Sequence, residues 1–575
     1  MEEFIKKRVQ SWLDGDYDKD VKSWILTNIT ENPKELTEAF YKNLEFGTGG
    51  LRGIMGVGTN RMNQYTVGAA TQGFANYLIK KFPKQDIKVV VAFDSRLNSK
   101  FFANITADVF SANGIFCYLF KELRPTPELS FAVRTLECHA GVMITASHNP
   151  KEYNGYKAYW SDGGQLVPPH DQNVISAVNK VKTLDQVKWI RNAQLVQYID
   201  SDFDKVYLSR IKNLSFNPDL IKNKRNFKIV YTPIHGTGIT LVPDALKNVG
   251  FKHIILVDEQ KEPDGEFPTV NSPNPEEEEA MKLALEKAKE VDASIVLATD
   301  PDADRLAVAV KDGKGGYYRL NGNETAVVLT HYILHQLQTQ KILSETDFIV
   351  KTIVTTEMLK ELAFAYNLNC YDVLTGFKYI AEKILSLEGR QKFICGGEES
   401  YGFLIDSFVR DKDAISACAL IAEWAAYCYS NKTTPYKQLL SLYQEYGLYK
   451  ESLLSITKKG KDGLEEIQKM MDHFRTDPPK TIGNVPIVEI RDYLKQESYS
   501  LITRKTTMMN LPPSDVIQFF TSDDTKVTVR PSGTEPKIKF YFAVKTDLKK
   551  STDFDKKNRE LDQKIKKIID LLQIN

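Results

Sequence analysis

The sequence lacks the features that mark secreted, membrane-spanning and nucleic-acid-binding chains. Its 76 Lys and Arg residues balance 75 Asp and Glu residues, so a formal net charge of +1 provides no broad field for a polyanion. The six cysteines include no C-x-x-C pair, which favours free thiols in a reducing compartment over a disulfide scaffold or a cysteine-ligated zinc. The N-terminus shows no apolar segment of the kind found in secretory signals. These absences predict a soluble cytoplasmic protein with no nucleic-acid or membrane partner.

A long uncharged apolar run is also missing. The most apolar stretch, Ala414–Ser430, carries Glu423 in its middle and falls short of the about 20 apolar residues that a bilayer span requires. It therefore predicts a buried helix.

Two common active-site fingerprints are absent. The glycine-rich tract 46–53, FGTGGLRG, matches neither G-x-G-x-x-G nor a Walker loop ending in GK[ST]. Ser147 does not lie in a G-x-S-x-G elbow, and His148 is adjacent to it, where neighbouring side chains usually point apart. The sequence thus supports neither of these nucleotide sites, nor a hydrolase triad.

The first 45 residues predict a helical lead, in which Trp12, Trp24 and Phe40 are apolar anchors and Asn32-Pro33 is a break. After this lead, short β-branched runs alternate with amphipathic helical stretches. The runs are 88–93, 114–120, 141–146, 227–233, 253–258, 293–298, 348–356 and 392–397. Such nearly continuous apolar strands indicate parallel sheets covered on both faces. Asn274, as a cap before Pro275 and the acidic residues 276–279, predicts a helix with a solvated first turn.

The alternation ends near residue 449. Runs 525–531 and 537–544 predict antiparallel strands, and the spacing of Leu561, Ile565, Ile568 and Leu572 predicts an amphipathic C-terminal helix. The predicted fold class is α/β, with three doubly wound α/β domains plus a C-terminal α+β domain around a central cleft. The predicted domains are 1–208, which includes the helical lead, 209–318, 319–448 and 449–575.

A loop rich in aspartate follows one predicted strand, at a position where open α/β sheets bind ligands. Asp300, Asp302 and Asp304 alternate along it, and such carboxylates can converge on one hard cation. An EF-hand would need Gly and Glu where Arg305 and Lys311 stand, and a haloacid-dehalogenase motif would not have Asp304 in its fifth place. Helix capping alone would leave crowded like charges after a buried strand. The loop predicts a metal site.

Three further polar loops are less diagnostic when each is taken alone. The tract around Ser147, TASHNP, favours an ordinary turn. In GEES, Glu398 and Ser400 could bind sugar hydroxyls, but a surface turn explains the pattern equally well. RPSGTEP, which begins at Arg530, suits either a phosphate cradle or a hairpin turn.

In this order, TASHNP, DPDADR, GEES and RPSGTEP resemble the phosphoserine, metal, sugar and phosphate loops of the α-D-phosphohexomutase superfamily, over a stretch from about residue 46 to the C-terminus. The long lead, FGTGGLRG and ELRPTPELSFAVR resemble the phosphoglucomutase branch that includes the larger bacterial enzymes and the second animal type. Phosphomannomutase-type members often have His at the place of Phe377, and GEMSGH where this chain has GEESYG. Both differences disfavour mannose.

The resemblance implies a phosphoserine enzyme that interconverts α-D-glucose 1-phosphate and glucose 6-phosphate, with glucose 1,6-bisphosphate as intermediate and activator. The implied ligands of Mg²⁺ are Ser147, Asp300, Asp302 and Asp304. The implied groups for proton handling or charge stabilisation are His148, Lys157 and Lys412. The implied substrate contacts are Arg52 and Arg305 at the transferring phosphate, Thr375, Lys378, Glu398 and Ser400 at the sugar, and Arg530, Ser532, Gly533 and Thr534 at the other phosphate. The expected partners are small sugar phosphates, bound by a monomer or weak dimer.

Several functions share these motifs. A phosphopentomutase or a sugar-bisphosphate synthase on the same scaffold would keep all of them, and a phosphomannomutase is a further alternative. A phosphatase would share the metal loop but would not need a separate grip for a second phosphate. A non-enzymatic sugar-phosphate binder is expected to have lost Ser147 or an aspartate, and neither is lost.

Overall fold

The computed structural model describes residues 2–47, 50–222, 226–458, 460–532 and 537–572. Two compact units make up the chain. The first unit comprises Met1–Thr325, Phe377–Cys395 and Ser400–Asn431, and the second comprises Ala326–Gly376, Gly396–Glu399 and Lys432–Asn575.

The N-terminal lead is helical, as predicted. Its helices are α1 (Glu3–Asp14), α2 (Lys19–Thr30) and α3 (Pro33–Phe40). The side chain of Asn32 accepts a hydrogen bond from the Glu35 backbone N–H at 3.3 Å, so Asn32 caps α3 and confirms the predicted break. Trp12 and Phe40 are buried, and their rings meet edge to face at 5.2 Å.

The first α/β domain follows the lead in the first unit. Its elements are β1 (Leu51–Ile54), α4 (Gln64–Lys81), β2 (Lys88–Phe93), α5 (Ser99–Ala112), β3 (Phe116–Phe120), α6 (Thr126–Thr135), β4 (Ala140–Ile144), β5 (Tyr153–Trp160), α7 (His170–Val178) and β6 (Val196–Ile199). Helices α8 (Ser201–Lys212) and α9 (Pro218–Lys222) follow and lead to the second domain. The strand order is β1-β5-β4-β2-β3-β6. Val89 and Val91 face one core and Val90 and Ala92 the other, so β2 is covered on both faces, as predicted. The prediction of parallel sheets missed β1 and β5, which pair antiparallel.

The second α/β domain also lies in the first unit. Its elements are β7 (Lys228–Thr232), α10 (Val242–Val249), β8 (His253–Leu256), α11 (Glu278–Val291), β9 (Ile295–Thr299), β10 (Leu306–Lys311) and β11 (Tyr317–Leu320), with the strand order β11-β10-β9-β7-β8. The predicted helix start at Asn274 is wrong, because α11 begins at Glu278. The Asn274 side chain instead accepts a hydrogen bond from the Glu276 backbone N–H, at 3.2 Å, in a turn ahead of the helix.

The third α/β stretch contributes to both units. Its elements are α12 (Gly322–Thr339), β12 (Asp347–Thr352), α13 (Met358–Ala365), β13 (Asn369–Val373), α14 (Phe377–Leu387), β14 (Lys392–Gly397), β15 (Phe403–Ile405), α15 (Ala414–Ser430) and α16 (Pro435–Tyr446). In the second unit β12 and β13 pair in parallel. In the first unit α15 is the predicted buried helix, and Glu423 in its middle accepts backbone N–H bonds from Phe216 and Asn217. Among the described residues, the structure contains no helix with the length and apolarity that a membrane crossing needs.

The C-terminal domain of the second unit is rich in β-structure. Its elements are β16 (Leu448–Thr457), α17 (Gly460–Thr476), β17 (Thr481–Ile482), β18 (Val485–Asp492), β19 (Glu497–Ser500), β20 (Lys505–Met508), β21 (Ile517–Thr521), β22 (Lys526–Pro531), β23 (Lys537–Thr546) and α18 (Phe554–Leu572). The antiparallel order is β16-β23-β22-β21-β18-β19-β20, with β17 paired to β18. Leu561, Ile565 and Ile568 are the buried face of α18, which confirms the predicted helix. The fold class of three α/β domains and a mixed C-terminal domain is confirmed.

Candidate active site

Three aspartates converge directly after β9 in the first unit. One carboxylate oxygen of each of Asp300, Asp302 and Asp304 lies within 4.8 Å of the others, and all three side chains are buried. Asp300 Oδ1 accepts the backbone N–H groups of Asp304 and Arg305, each at 3.0 Å, which curls the loop around the first carboxylate. Within the described part of the chain, Oδ1 of Asp302 and Oδ1 of Asp304 are buried without a hydrogen-bond partner. Because buried anionic oxygens need partners, this cluster suits a hard divalent cation.

The surroundings separate the ionisation of these carboxylates. Burial, together with the negative charges of Asp302 and Asp304, raises the pKa of Asp300 well above its usual range. The net effect on Asp302 is the opposite. Burial acts to raise its pKa, but the hydrogen bonds from Lys157 Nζ at 2.6 Å and Thr126 Oγ1 at 2.8 Å outweigh burial, so the pKa is lowered. A bound cation would favour the ionised form of all three.

Ser147 faces this cluster from the end of β4. Its Oγ donates to Asp300 Oδ2 at 2.8 Å, and its backbone has the left-handed φ of +53°. The side chain of Ser147 is 3% exposed. The sequence of this loop alone favoured an ordinary turn, because the contact between Ser147 and Asp300 depends on the fold.

His148 meets Ser147 directly. Its Nδ1 lies 3.2 Å from Ser147 Oγ, so the expectation that the two neighbouring side chains point apart is wrong. Burial lowers the pKa of His148 well below its usual range, and the positive charges of Arg305 and Arg52 lower it further. The ring is therefore neutral near pH 7 and able to accept a proton.

Two lysines approach the aspartates from other elements. Lys157, on β5, lies with Nζ 2.6 Å from Asp302 Oδ2 and 3.2 Å from Asp304 Oδ2. Lys412 Nζ lies 3.1 Å from Asp304 Oδ2 and also 3.1 Å from Asp411 Oδ1. Both ammonium groups are almost fully buried, so they compensate buried negative charge at short range.

Two arginines lie at the rim of the same loops. Arg305 Nη1 donates to Glu276 Oε1 at 2.6 Å, and Arg52, which is exposed on β1, donates from Nη1 to Asn149 Oδ1 at 3.2 Å. The predicted solvated acidic run is thus wrong for Glu276, which is an ion-pair partner of a predicted site residue.

Lys378 and Ser400 also belong to the first unit. Lys378 Nζ lies 3.7 Å from Asp171 Oδ2. The segment after Ser400 runs beside the aspartate loop 300–304, because Tyr401 O accepts the Leu306 backbone N–H at 3.0 Å. The structure therefore groups eleven of the predicted residues in one unit: Arg52, Ser147, His148, Lys157, Asp300, Asp302, Asp304, Arg305, Lys378, Ser400 and Lys412.

The second unit holds predicted sugar-binding and phosphate-binding residues. Glu398 is 7% exposed, and its Oε1 accepts the Gly376 backbone N–H at 3.1 Å. Thr375 Oγ1 is buried with no hydrogen-bond partner among the residues that the structure describes. Burial and the charge of Glu399 raise the pKa of Tyr541 to about 12, against the lowering effect of Arg530 and its hydrogen bond. Tyr541 therefore bonds to Arg530 and lies within electrostatic range of Glu399.

The structure describes the predicted phosphate-binding loop only at its base. Arg530 is the penultimate residue of strand β22 and pairs with Lys539, and the Ser532 backbone N–H donates to Lys537 O at 2.7 Å. Gly533 and Thr534 lie outside the described residues.

Thr126, Asp411 and Tyr541 are among the neighbouring residues that were not predicted from the sequence. Thr126 donates from Oγ1 to Asp302 Oδ2, and Asp411 accepts at Oδ2 from Tyr159 and Gln165 while its Oδ1 contacts Lys412. Adjacency to Lys412 was a signal for Asp411. Neither Thr126 nor Tyr541 stands at a spacing that indicates the contact.

Known proteins resemble this chain in sequence. The family described as "Phosphoglucomutase/phosphomannomutase, alpha/beta/alpha" matches through its domains I, II and III at residues 43–185, 205–315 and 321–446. The chain is 38% identical over 515 residues to a phosphoglucomutase of Staphylococcus aureus, covering 89% of this chain and 91% of the relative. It is 35% identical over 514 residues to a phosphoglucomutase of Staphylococcus haemolyticus, covering 89% and 92%.

Solved structures share the fold. A phosphoglucomutase/phosphomannomutase family protein of Burkholderia thailandensis superimposes with a TM-score of 0.64 at 19% identity, covering 92% of this chain and 98% of that one. The pp63/parafusin protein of Paramecium superimposes with a TM-score of 0.67 at 17% identity, covering 92% and 96%. The chain therefore belongs to the phosphoglucomutase/phosphomannomutase family of the α-D-phosphohexomutase superfamily.

Proposed function

We propose that the chain is a phosphoglucomutase that interconverts α-D-glucose 1-phosphate and glucose 6-phosphate through a phosphoserine at Ser147. The 2.8 Å contact between Ser147 Oγ and Asp300 Oδ2 carries this proposal, because it places a hydroxyl at a cluster suited to a divalent cation. A serine hydroxyl is a weak nucleophile without such help.

Two transfers balance the reaction. As the P–O bond to Ser147 breaks, a P–O bond to the sugar O6 forms, and the O6 proton leaves to a base. The product is glucose 1,6-bisphosphate. After this intermediate turns over, its 1-phosphoryl group returns to Ser147 Oγ and O1 takes up a proton, which leaves glucose 6-phosphate and the phosphoenzyme. The reverse direction uses the same steps.

The donor set fits Mg²⁺. Asp300, Asp302 and Asp304 would hold the ion, with Ser147 as the fourth contributor through its phosphate. When bound, the ion offsets the negative charge of the transferring phosphoryl group. Within the described residues, Oδ1 of Asp302 and Oδ1 of Asp304 are buried without a hydrogen-bond partner, which supports this assignment.

Proton handling and charge stabilisation fall to His148, Lys157 and Lys412. His148 is neutral, close to Ser147 Oγ and able to accept a hydroxyl proton. The charges of Asp302 and Asp304 outweigh burial and raise the pKa of Lys157, so its ammonium group stays charged and can stabilise an anionic phosphate. Lys412 contacts Asp304 from the other side.

The remaining predicted residues bind and orient the substrate. Arg52 and Arg305 steady the transferring phosphate. Glu398 and Ser400 hold the O3 and O4 hydroxyls of the sugar, with Thr375 and Lys378 nearby. Arg530, Ser532, Gly533 and Thr534 hold the phosphate that is not reacting. The partnerless hydroxyl of Thr375, within the described residues, supports a polar ligand at that position.

A sugar bisphosphate primes the enzyme. Because each cycle begins and ends on phosphorylated Ser147, glucose 1,6-bisphosphate is also the activator of any dephosphorylated protein. Sugar phosphates are the only partners that this cycle requires, and we propose a monomer or weak dimer.

A coupled assay tests the function. Glucose 1-phosphate, mannose 1-phosphate and ribose 1-phosphate are compared with Mg²⁺ and a trace of glucose 1,6-bisphosphate, with the Ser147→Ala variant as control. We expect the highest kcat/KM for glucose 1-phosphate and no turnover by the variant. A higher kcat/KM for ribose or mannose 1-phosphate would reassign the substrate, and release of inorganic phosphate alone would show a phosphatase.

A further inference from the structure

A buried arginine outside the predicted site gathers the carbonyl groups of the Ser147 loop. Arg96 follows β2, and its Nη2 donates to Ser147 O at 2.6 Å and to Asn149 O. Its Nη1 donates to Pro150 O at 2.9 Å and to Tyr153 O at 3.0 Å. One planar guanidinium thus satisfies four backbone acceptors within seven residues.

The loop needs such donors because its backbone turns inward. Ser147 has a φ of +53°, a left-handed conformation that a non-glycine residue adopts at a cost. Ser147 O, Asn149 O and Pro150 O lie in the turn between β4 and β5, outside the strand ladders, and Tyr153 is the first residue of β5. A buried carbonyl without a donor costs free energy, and the Arg96 bonds offset that cost only in this loop conformation.

Asp94 and Phe267 hold the Arg96 side chain in place. Asp94 Oδ1 accepts the Arg96 backbone N–H at 3.0 Å and Ser99 Oγ at 2.6 Å, while Asp94 Oδ2 lies 3.4 Å from Arg96 Nε. Both side chains of this ion pair are 0% exposed. The guanidinium also stacks on the Phe267 ring at 5.1 Å. The position of the guanidinium is therefore set by the rigid end of β2.

Arg96 does not bind the transferring phosphate. Both of its Nη groups are engaged by carbonyls, and the residue is 3% exposed. This separates it from Arg52, which is exposed at the rim. Besides its charge, which acts on Asp300, Asp302 and His148, its influence on the reaction passes through the loop that it holds.

We propose that Arg96 is the positioning residue of the phosphoserine loop, directing Ser147 Oγ at Asp300 and so setting the rate of phosphoryl transfer. The expected effect on the rate rests on the proposed function, whereas the effect on the conformation of the loop rests on the Arg96 contacts alone. Lysine cannot replace Arg96, because one ammonium group lacks the fork that serves four carbonyls.

The test compares Arg96→Lys and Arg96→Ala with matched variants of Arg61. Arg61 is another buried arginine of the same domain, 8% exposed, whose Nη2 donates to Glu35 Oε1 at 2.9 Å, away from the Ser147 loop. For Arg96→Lys we expect kcat to fall about 100-fold, the scale of a misplaced reacting group, with KM for glucose 1-phosphate nearly unchanged. Arg61→Lys is expected to keep kcat at a similar loss of Tm. Added guanidinium should restore turnover to Arg96→Ala, whereas methylammonium should not.

Hydrogen exchange gives a readout that does not depend on the reaction. We expect faster exchange in the peptide 145–153 of Arg96→Lys, by a factor of about 10 or more, which corresponds to 1.4 kcal/mol. Unchanged exchange there would overturn the positioning of the loop, and wild-type kcat in Arg96→Lys would overturn its kinetic effect. If wild-type protein shows no mutase activity while the exchange result holds, the proposed function fails and the positioning of the loop stands.

Discussion

Replacement of Arg530 by alanine is expected to slow both directions of the reaction equally. Arg530 lies in the second unit beside Tyr541, in the base of the loop that we assign to the non-reacting phosphate. A mutase binds its substrate in two orientations, with the 1-phosphate at this loop in one and the 6-phosphate in the other. The same guanidinium therefore serves both substrates.

The size of the effect follows from the lost bonds. A hydrogen bond between a guanidinium and a phosphate contributes about 1.5–3 kcal/mol. Loss of one such bond lowers kcat/KM by about 10- to 150-fold. Because binding energy from a remote phosphate also orients the reacting end, kcat should fall together with apparent affinity.

The assay measures kcat/KM for glucose 1-phosphate and for glucose 6-phosphate in Arg530→Ala. Arg504→Ala, which removes an exposed arginine of the same domain, is the matched control and should behave as wild type. Hydrolysis of the phosphoenzyme by water needs no second phosphate and should change far less. A loss with only one sugar phosphate, or with neither, would refute the shared grip.

Three further changes test separate parts of the structure. Asp302→Asn should fold normally but bind Mg²⁺ more weakly and lose at least about 100-fold in turnover, since a metal ion contributes several kcal/mol; full activity in chelator-treated buffer would contradict this. Gln518→Leu removes buried hydrogen bonds to Ile353 O at 2.8 Å and to Thr528 Oγ1 at 2.9 Å. The free energy of unfolding, measured by urea titration, should therefore fall by about 1–3 kcal/mol. An unchanged urea midpoint would contradict this prediction. Burial raises the pKa of Asp523, but bonds from Lys564 and the neighbouring turn outweigh burial and lower it from 3.8 to about 2. Ionised Asp523 therefore stabilises the fold above about pH 4, by about 1 kcal/mol after solvent screening, and this contribution is lost as the pH falls towards 2. In Asp523→Asn, the free energy of unfolding should change less between about pH 4 and about pH 2 than in the wild type. An unaltered pH dependence would count against the ion pair.

The strands were the most predictable part of the fold. Runs 88–93 and 392–397 coincide with β2 and β14 residue for residue, because these strands are buried and nearly every position is apolar. Strand β5 escaped prediction for the opposite reason. Asn154 and Lys157 on this strand are polar but buried, and hydrogen bonds and ion pairs stabilise them there. A hydrophobic pattern does not indicate such positions.

Helix α11 shows where local signals fail. Asn274 and Pro275 have the residue types of a helix start, yet the helix begins at Glu278. Glu276 is engaged instead by long-range contacts, since its side chain binds Arg305 and its carbonyl accepts Arg319 Nη2 at 2.7 Å. Tertiary contacts thus override the local cap.

The site was predictable where its residues share a short motif. Asp300, Asp302 and Asp304 lie on one turn, so their spacing already indicates convergence. Arg96 and Thr126 are brought to the site by separate strands and helices. Their contacts depend on the register of the sheet, which the sequence pattern does not specify.

The central claim is that Ser147 carries the phosphoryl group. Incubation with glucose 1,6-bisphosphate and Mg²⁺, followed by intact mass measurement and peptide fragmentation, should show one added phosphate on Ser147 and none in Ser147→Ala. Equal labelling of that variant, or a phosphate on another residue of the wild-type protein, would contradict the account.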